Sequence, residues 1–252
     1  MTRAGLAALA VLALGLSACS SSSDDAGSSE LTVFAAASLQ RPLEQIAADF
    51  EADHPGVAVR FSFAGSSDLA AQLVDGAPAD VLATADERTM GTVEDADLVS
   101  GSPQTFATNS MTVVVPKDNP AKITSLADLE GDVDLVLCAP QVPCGAAAER
   151  VEEASGLTFA PVSEEAKVTD VLGKVASGEA DAGIVYVTDA QSSDDVGTVE
   201  IPDEDNTTTT YPVATLAGSE HHDLADELVA AVLADAAGDG AGHLEADGFA
   251  AP

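Results

Sequence analysis

The sequence predicts an α/β fold of two lobes, each with a mostly parallel sheet flanked by helices, and a ligand cleft between the lobes. Strand-like and helix-like segments alternate from residue 30 onward, and this order gives parallel sheets covered by helices. The length of 252 residues suits one large domain or two moderate ones. A hydrophobic content of 46% supplies a core despite a net charge of −34, which excludes a disordered acidic chain.

The first unit, residues 30–109, has a βαβαβ order. Strands are predicted at residues 31–34, 57–63 and 81–84. The helix after the first strand has apolar residues at helical spacing and tolerates Pro42 in its first turn. A second helix opens at Ser66 and stops near Gly76. This order predicts a parallel sheet with helices on both faces.

The second unit, residues 110–213, alternates in the same way. Strands are predicted at residues 111–115, 135–137, 182–187 and 211–216, with helices at 145–154 and 168–177. Ser125 and Asp128 have the spacing of a helix capping box. A last amphipathic helix follows, and we assign residues 214–252 to the first lobe.

The first residues predict a secreted lipoprotein. Arg3 precedes an apolar run that is too short to span a membrane. The run ends in Leu16-Ser17-Ala18-Cys19, which resembles the lipobox of bacterial lipoproteins and implies removal of residues 1–18 and lipidation of Cys19. An ordinary secretory signal with a chance cysteine is the alternative. The polar residues 19–29 predict a flexible tether, so we expect an extracytoplasmic protein anchored to the cell membrane.

Two further cysteines, Cys138 and Cys144, form an even pair in a secreted chain. A disulfide is the default expectation there, and free structural thiols are the alternative. A metal site is a third reading, but the four histidines show no spacing that would complete a tetrahedral set beside this pair.

Charge and motif content exclude several classes of function. A surface with 43 acidic and 9 basic residues repels nucleic acid and anionic lipid headgroups. The acidic run at residues 203–206 lacks the turn glycine of an EF-hand loop and predicts a solvated loop. The sequence lacks the Gly-x-Ser-x-Gly elbow of a serine hydrolase, and nothing in it places a histidine beside Ser38 or Ser66 as a base. We therefore expect a binding protein and no enzyme.

Four segments deliver small or hydroxyl residues to the predicted start of a helix. They are Ala35-Ala36-Ala37-Ser38, Ala64-Gly65-Ser66-Ser67, Val142-Pro143-Cys144-Gly145 and Ala166-Lys167-Val168-Thr169. Helix starts present unpaired N–H groups and the positive end of a dipole, so converging starts can hold an anion without a cation. Each residue also has a purely structural reading, which for Ser38 and Ser66 is capping of a helix.

Four longer motifs stand out: VFAAASL at residues 33–39, FAGSSDL at 63–69, GAPADVLATAD at 76–86 and GIVYVTDA at 183–190. With Tyr211-Pro212-Val213 as a further match, they resemble the molybdate-binding proteins of ABC importers, the ModA type within the type II solute-binding proteins. The resemblance spans residues 31–249 and implies two lobes, joined by two crossover strands, that close over a tetrahedral oxyanion.

The resemblance also implies the contacts of the oxyanion. Ser38 and Ser66 match positions that bind it through hydroxyl and N–H groups, Cys144 and Val168 match backbone N–H donors, and Tyr186 matches a hydroxyl donor. The ligand would be molybdate or tungstate, with molybdenum held only through its oxygens and no cofactor. We expect a monomer that delivers the anion to an ABC permease; another oxyanion such as sulfate is the alternative ligand. The family often has Ala where this chain has Cys144.

Overall fold

The computed structural model of the chain describes residues 29–252. The predicted signal segment 1–18 and the lipidation of Cys19 lie outside the described residues, as does all of the tether 19–29 except its last residue. Within residues 29–252, no helix combines the length and the apolar character needed to cross a membrane.

Strands and helices alternate along most of the described chain. The strands are β1 Ser29–Ala36, β2 Val57–Ala64, β3 Val81–Ala83, β4 Gln104–Pro116, β5 Leu135–Cys138, β6 Ser163–Glu165, β7 Ala182–Tyr186, β8 Val196–Val199 and β9 Thr208–Thr215. The α-helices are α1 Gln40–Asp53, α2 Ser66–Val74, α3 Glu87–Glu94, α4 Pro143–Ser155, α5 Val168–Ala176, α6 Val187–Gln191, α7 His222–Ala236 and α8 His243–Ala246. Two short 3-10 helices span Ala37–Leu39 and Leu126–Glu130.

The strands hydrogen-bond in the order β2-β1-β3-β9-β4-β7-β5-β6, and β8 pairs with β4. The outer strands are parallel, since β1 pairs in parallel with β2 and β3 and β5 does so with β6 and β7. Strand β4 joins the two groups: residues 104–110 pair with β9, and residues 111–116 pair with β7 and β8, all antiparallel. The α/β fold class predicted from the sequence is confirmed, with two antiparallel strands at its centre.

Several predicted strand boundaries differ from the structure, among them that of the strand predicted at 211–216, which runs from Thr208 to Thr215. The strand predicted at 182–187 ends at Tyr186, where its pairing with β4 ends at Met111, and α6 starts at Val187. The strand predicted at 111–115 begins at Gln104, because its polar first part pairs with β9. Residues 104–110 are too polar to predict a strand by themselves, and their pairing with β9 in the folded protein makes them one.

The predicted capping box at Ser125 is present. The Ser125 side chain accepts from the third backbone N–H of the 3-10 helix, and the Asp128 carboxylate accepts from the Ser125 N–H at 3.0 Å. Hydrogen bonds from Thr124 and Ser125 hold the pKa of the exposed Asp128 carboxyl below its usual range. This turn ends the connection from β4 and leads into β5.

A disulfide joins Cys138 at the end of β5 to Cys144 in the first turn of α4, with a Cα–Cα distance of 5.6 Å. The loop that it closes makes a tight turn, and a Cβ atom on Gly145 would lie 1.9 Å from the carbonyl oxygen of Ala139. Residue 145 must therefore be glycine for α4 to begin where it does.

Replacing both Cys138 and Cys144 by alanine should lower the free energy of unfolding by about 2 kcal/mol, because the unfolded chain regains the entropy of a short loop. Urea denaturation with and without a reductant measures this. Reduction should destabilise the wild-type protein by a similar amount and leave the double variant unchanged. Equal midpoints for the oxidised wild type and the variant would contradict the prediction.

Candidate functional site

All five residues singled out in the sequence line one small cavity between the two groups of parallel strands. Its volume is about 20 Å³, which suits an ion of a few atoms, whereas sites for larger organic ligands have several hundred Å³. The lining residues are mostly small: Ala36, Ala37, Ser38, Ala64, Gly65, Ser66, Ala85, Val142, Pro143, Cys144, Ala166, Lys167, Val168 and Tyr186. They include no carboxylate, although the chain carries a net charge of −34.

Neither cavity serine serves as a helix cap. Ser66 is the first residue of α2, Gly65 occupies the N-cap, and no side-chain capping bond forms there. Ser38 lies within the 3-10 helix that precedes α1, again without a capping bond. The buried Ser66 hydroxyl instead accepts from the Ala85 N–H at 3.1 Å, so its own proton is free to donate. The capping interpretation of both serines is therefore wrong.

Three helix starts meet at the cavity. Helix α2 begins with Ser66, α4 begins with Pro143 and then Cys144, and α5 begins with Val168. The backbone N–H groups of a helix's first turn have no carbonyl partner within that helix, and they lie at the positive end of its dipole. The cavity thus collects N–H donors from three directions, which favours an anion.

Tyr186 contributes a hydroxyl that lacks a partner. Its side chain is 1% exposed, and its Oη is among the buried polar atoms that form no hydrogen bond within the described part of the chain. Burial raises the pKa of this phenol well above its ordinary value, so it remains a proton donor. An unsatisfied buried donor costs about 1–3 kcal/mol, and an acceptor in the cavity would recover that cost.

Tyr211 contacts two of the cavity residues, Tyr186 and Ser38. No role in binding was predicted for it from the sequence. Its fully buried ring packs edge-on against Tyr186, with ring centroids 5.9 Å apart, and its Oη lies 3.3 Å from Ser38 Oγ. Burial is the largest cause that raises the pKa of Tyr211. A neutral Tyr211 can donate to Ser38, which leaves the Ser38 proton for the cavity. The feature of the sequence that could have indicated this role is a single tyrosine in β9, whose other residues are aliphatic or carry hydroxyl groups.

Asp189 is a buried carboxyl next to the cavity wall. It is 5% exposed, its Oδ2 has no hydrogen-bond partner among the described residues, and burial raises its pKa to about 7. It lines a neighbouring cavity of about 220 Å³ that also touches Ser38. Asp189 belongs to the motif at residues 183–190. Its burial was not predicted, because it depends on the position of α6.

Comparisons with known proteins show what the chain is similar to. Residues 31–249 match the family described as bacterial extracellular solute-binding protein. The molybdate-binding protein ModA of Mycobacterium tuberculosis strain H37Rv is 46% identical, covering 96% of this chain and 95% of the relative. A putative ABC transporter substrate-binding lipoprotein of Bacillus subtilis strain 168 is 30% identical, covering 90% of each. The solved periplasmic molybdate-binding protein of Azotobacter vinelandii superposes with a TM-score of 0.72 at 22% identity, covering 88% of this chain and 99% of that one.

Asp189 should make stability depend on pH. Its pKa is about 7 in the folded protein against 3.8 as the ordinary value, so the folded state binds the proton more tightly. The stabilisation is full below pH 4 and is lost as pH rises through 7. A difference of one pKa unit corresponds to about 1.4 kcal/mol. Between pH 4 and pH 8, the free energy of unfolding of Asp189→Asn should therefore rise relative to that of wild type by on the order of 2–4 kcal/mol. Urea unfolding at both pH values measures the difference.

The exposed Asp194 offers a control with the same loss of charge. Asp194→Asn should keep the wild-type change in stability between the two pH values. If Asp189→Asn and Asp194→Asn show the same pH profile, burial does not perturb Asp189 as stated.

Proposed function

Because the chain belongs to the bacterial extracellular solute-binding proteins, we propose that it captures molybdate outside the cytoplasm and delivers it to an ABC importer. The family predicted from the sequence motifs is thereby confirmed. One observation carries the ligand proposal. Three helix starts, two serine hydroxyls that cap no helix and the Tyr186 hydroxyl, which has no hydrogen-bond partner among the described residues, meet at one small cavity. No carboxylate lines this cavity. Relatives named as molybdate-binding proteins support the same ligand.

The donors suit a tetrahedral dianion. Ser38 and Ser66 each offer a hydroxyl and an N–H, Cys144 and Val168 each offer an N–H, and Tyr186 offers its phenol. Desolvating a dianion is costly unless its oxygens find donors, and these groups approach from both parts of the sheet. In this proposal the molybdenum atom has no direct protein ligand. Tungstate has the same charge and shape and binds too.

Binding without catalysis is part of the proposal. The Ser66 hydroxyl accepts a backbone hydrogen bond from Ala85, and the Ser38 oxygen lies next to the Tyr211 phenol. Neither arrangement supplies a base that would take a proton from a nucleophilic serine. The two serines therefore act as donors to the anion, and the protein has no cofactor.

The cellular setting completes the proposal. Removal of residues 1–18 and lipidation of Cys19 would leave the protein on the membrane, tethered by residues 19–29, and the Bacillus relative carries the name lipoprotein. The monomer would have one lobe from residues 30–109 and 214–252 and another from 110–213. The membrane permease of the importer is its partner.

Lobe closure is the proposed mechanism, and Gly65 marks where the lobes meet. A Cβ atom on Gly65 would lie 2.3 Å from the carbonyl oxygen of Ala166, just before α5. The approach of these two backbones brings the start of α2 to the start of α5. Bound anion then favours the closed state because only that state offers donors from both lobes.

Titration calorimetry tests the ligand. Molybdate and tungstate should bind, and sulfate and phosphate should bind at least tenfold more weakly. Ser38→Ala and Ser66→Ala should each weaken molybdate binding by about tenfold, the cost of a hydrogen bond to a charged group. Each should also lower the unfolding temperature, because the Tyr211 hydroxyl loses its partner in Ser38→Ala and the Ala85 N–H loses its acceptor in Ser66→Ala. Sulfate binding equal to molybdate binding would overturn the proposed specificity.

Gly65→Ala should weaken molybdate binding at least tenfold, because the added methyl group prevents the approach to Ala166. The backbone φ of Gly65 is −60°, which alanine adopts freely, so the unfolding temperature should stay near that of wild type. Gly91→Ala in α3 is the matched control, since nothing lies within 4 Å of its added Cβ. Calorimetry that finds equal affinities for the two variants would rule out this role of Gly65.

A further inference from the structure

Two side chains on helices of one proposed lobe donate to a single backbone carbonyl oxygen of the other. Ser67 Oγ donates to the Gln141 carbonyl at 2.9 Å, and Arg88 Nη2 donates to the same oxygen at 3.0 Å. Ser67 lies in α2 and Arg88 in α3, which pack beside β1 and β9 respectively, whereas Gln141 lies between β5 and α4. These two hydrogen bonds therefore cross the cleft.

The acceptor oxygen is part of a rigid segment. Gln141 lies inside the loop closed by the disulfide from Cys138 to Cys144. The loop is also held by backbone hydrogen bonds from Val142 to Ala139 at 3.0 Å and from Ala139 to Glu165 at 2.9 Å. Because Cys144 supplies a proposed N–H donor to the anion, hydrogen bonds that fix the position of Gln141 also fix the position of that donor.

The cationic donor is oriented by its own neighbours. Arg88 Nε lies 3.6 Å from Asp86 Oδ2, and the Asp86 side chain also accepts from the Thr89 N–H at 2.9 Å as the N-cap of α3. The start of α3 thus directs the guanidinium toward the opposite lobe. Neither Asp86 nor Arg88 lines the small cavity.

We infer that Ser67 and Arg88 form, with the Gln141 carbonyl, a latch that holds the lobes closed and slows release of the anion. The inference rests on the proposed function. Neither donor lines the small cavity, so both act as positioning residues through the closed state. Contacts that form only on closure lower the rate of opening and leave the capture step unchanged, which is how affinity is commonly tuned.

The test compares Ser67→Ala and Arg88→Met with Arg60→Met in the purified full chain. Arg60 pairs with Glu30 at 3.2 Å on the exposed face of β2, so its replacement removes the same charge away from the cleft. Proteins loaded with radiolabelled molybdate are chased with unlabelled molybdate, and rapid filtration follows the release. Ser67→Ala should speed release about threefold and Arg88→Met about tenfold, as expected for neutral and charged hydrogen bonds.

Capture rates should stay within about twofold of wild type for all three variants, and Arg60→Met should release at the wild-type rate. Release unchanged in both latch variants would overturn the latch and leave the proposed function standing. Equal acceleration in Arg60→Met would also overturn it, because net charge would then explain the effect.

Hydrogen exchange of the unliganded proteins gives a readout that needs no ligand. Amides of residues 65–69 and 141–146 should exchange faster in Ser67→Ala and Arg88→Met than in Arg60→Met, because the closed state is less populated. If wild type fails to bind molybdate, the proposed function falls and this comparison still decides the latch. Unchanged protection in the latch variants would refute it.

Discussion

The dianion proposed as ligand needs a hydrogen-bond donor for nearly every oxygen once it is buried, and this requirement accounts for the arrangement of the cleft. A chain with 9 basic and 43 acidic residues has few cations to place there, and Lys167 is the one charged residue of the lining. Backbone N–H groups are the remaining source of positive potential. They are concentrated at helix starts, so three helices have to begin at one place.

The order of the strands makes that convergence possible. Parallel strands end at the same edge of a sheet, and the helices that follow them begin there. Strands β2, β5 and β6 lead into α2, α4 and α5, and β7 ends at Tyr186. Because β4 pairs with β9 along its first part and with β7 along its last part, the two parallel groups face each other across these central strands.

The sequence predicted the elements that have a local signal. Helix starts at Ser66 and Val168 and the capping box at Ser125 follow from neighbouring residues. The start of α6 at Val187 was missed because a β-branched apolar residue favours a strand. The five residues predicted to bind the oxyanion line one cavity, and their contacts with an anion stay a prediction. Tyr211 and the hydrogen bonds to Gln141 depend on residues far apart in sequence. Such contacts have no periodicity or spacing from which they could be inferred.

The tyrosines give the site an optical property of its own. The chain contains no tryptophan and two tyrosines, and both of these, Tyr186 and Tyr211, are buried edge-on to each other beside the cavity. Ultraviolet emission and near-ultraviolet circular dichroism from phenol rings therefore originate at one place in the molecule. Any event that changes the surroundings of that pair can be followed by its native chromophores without a label.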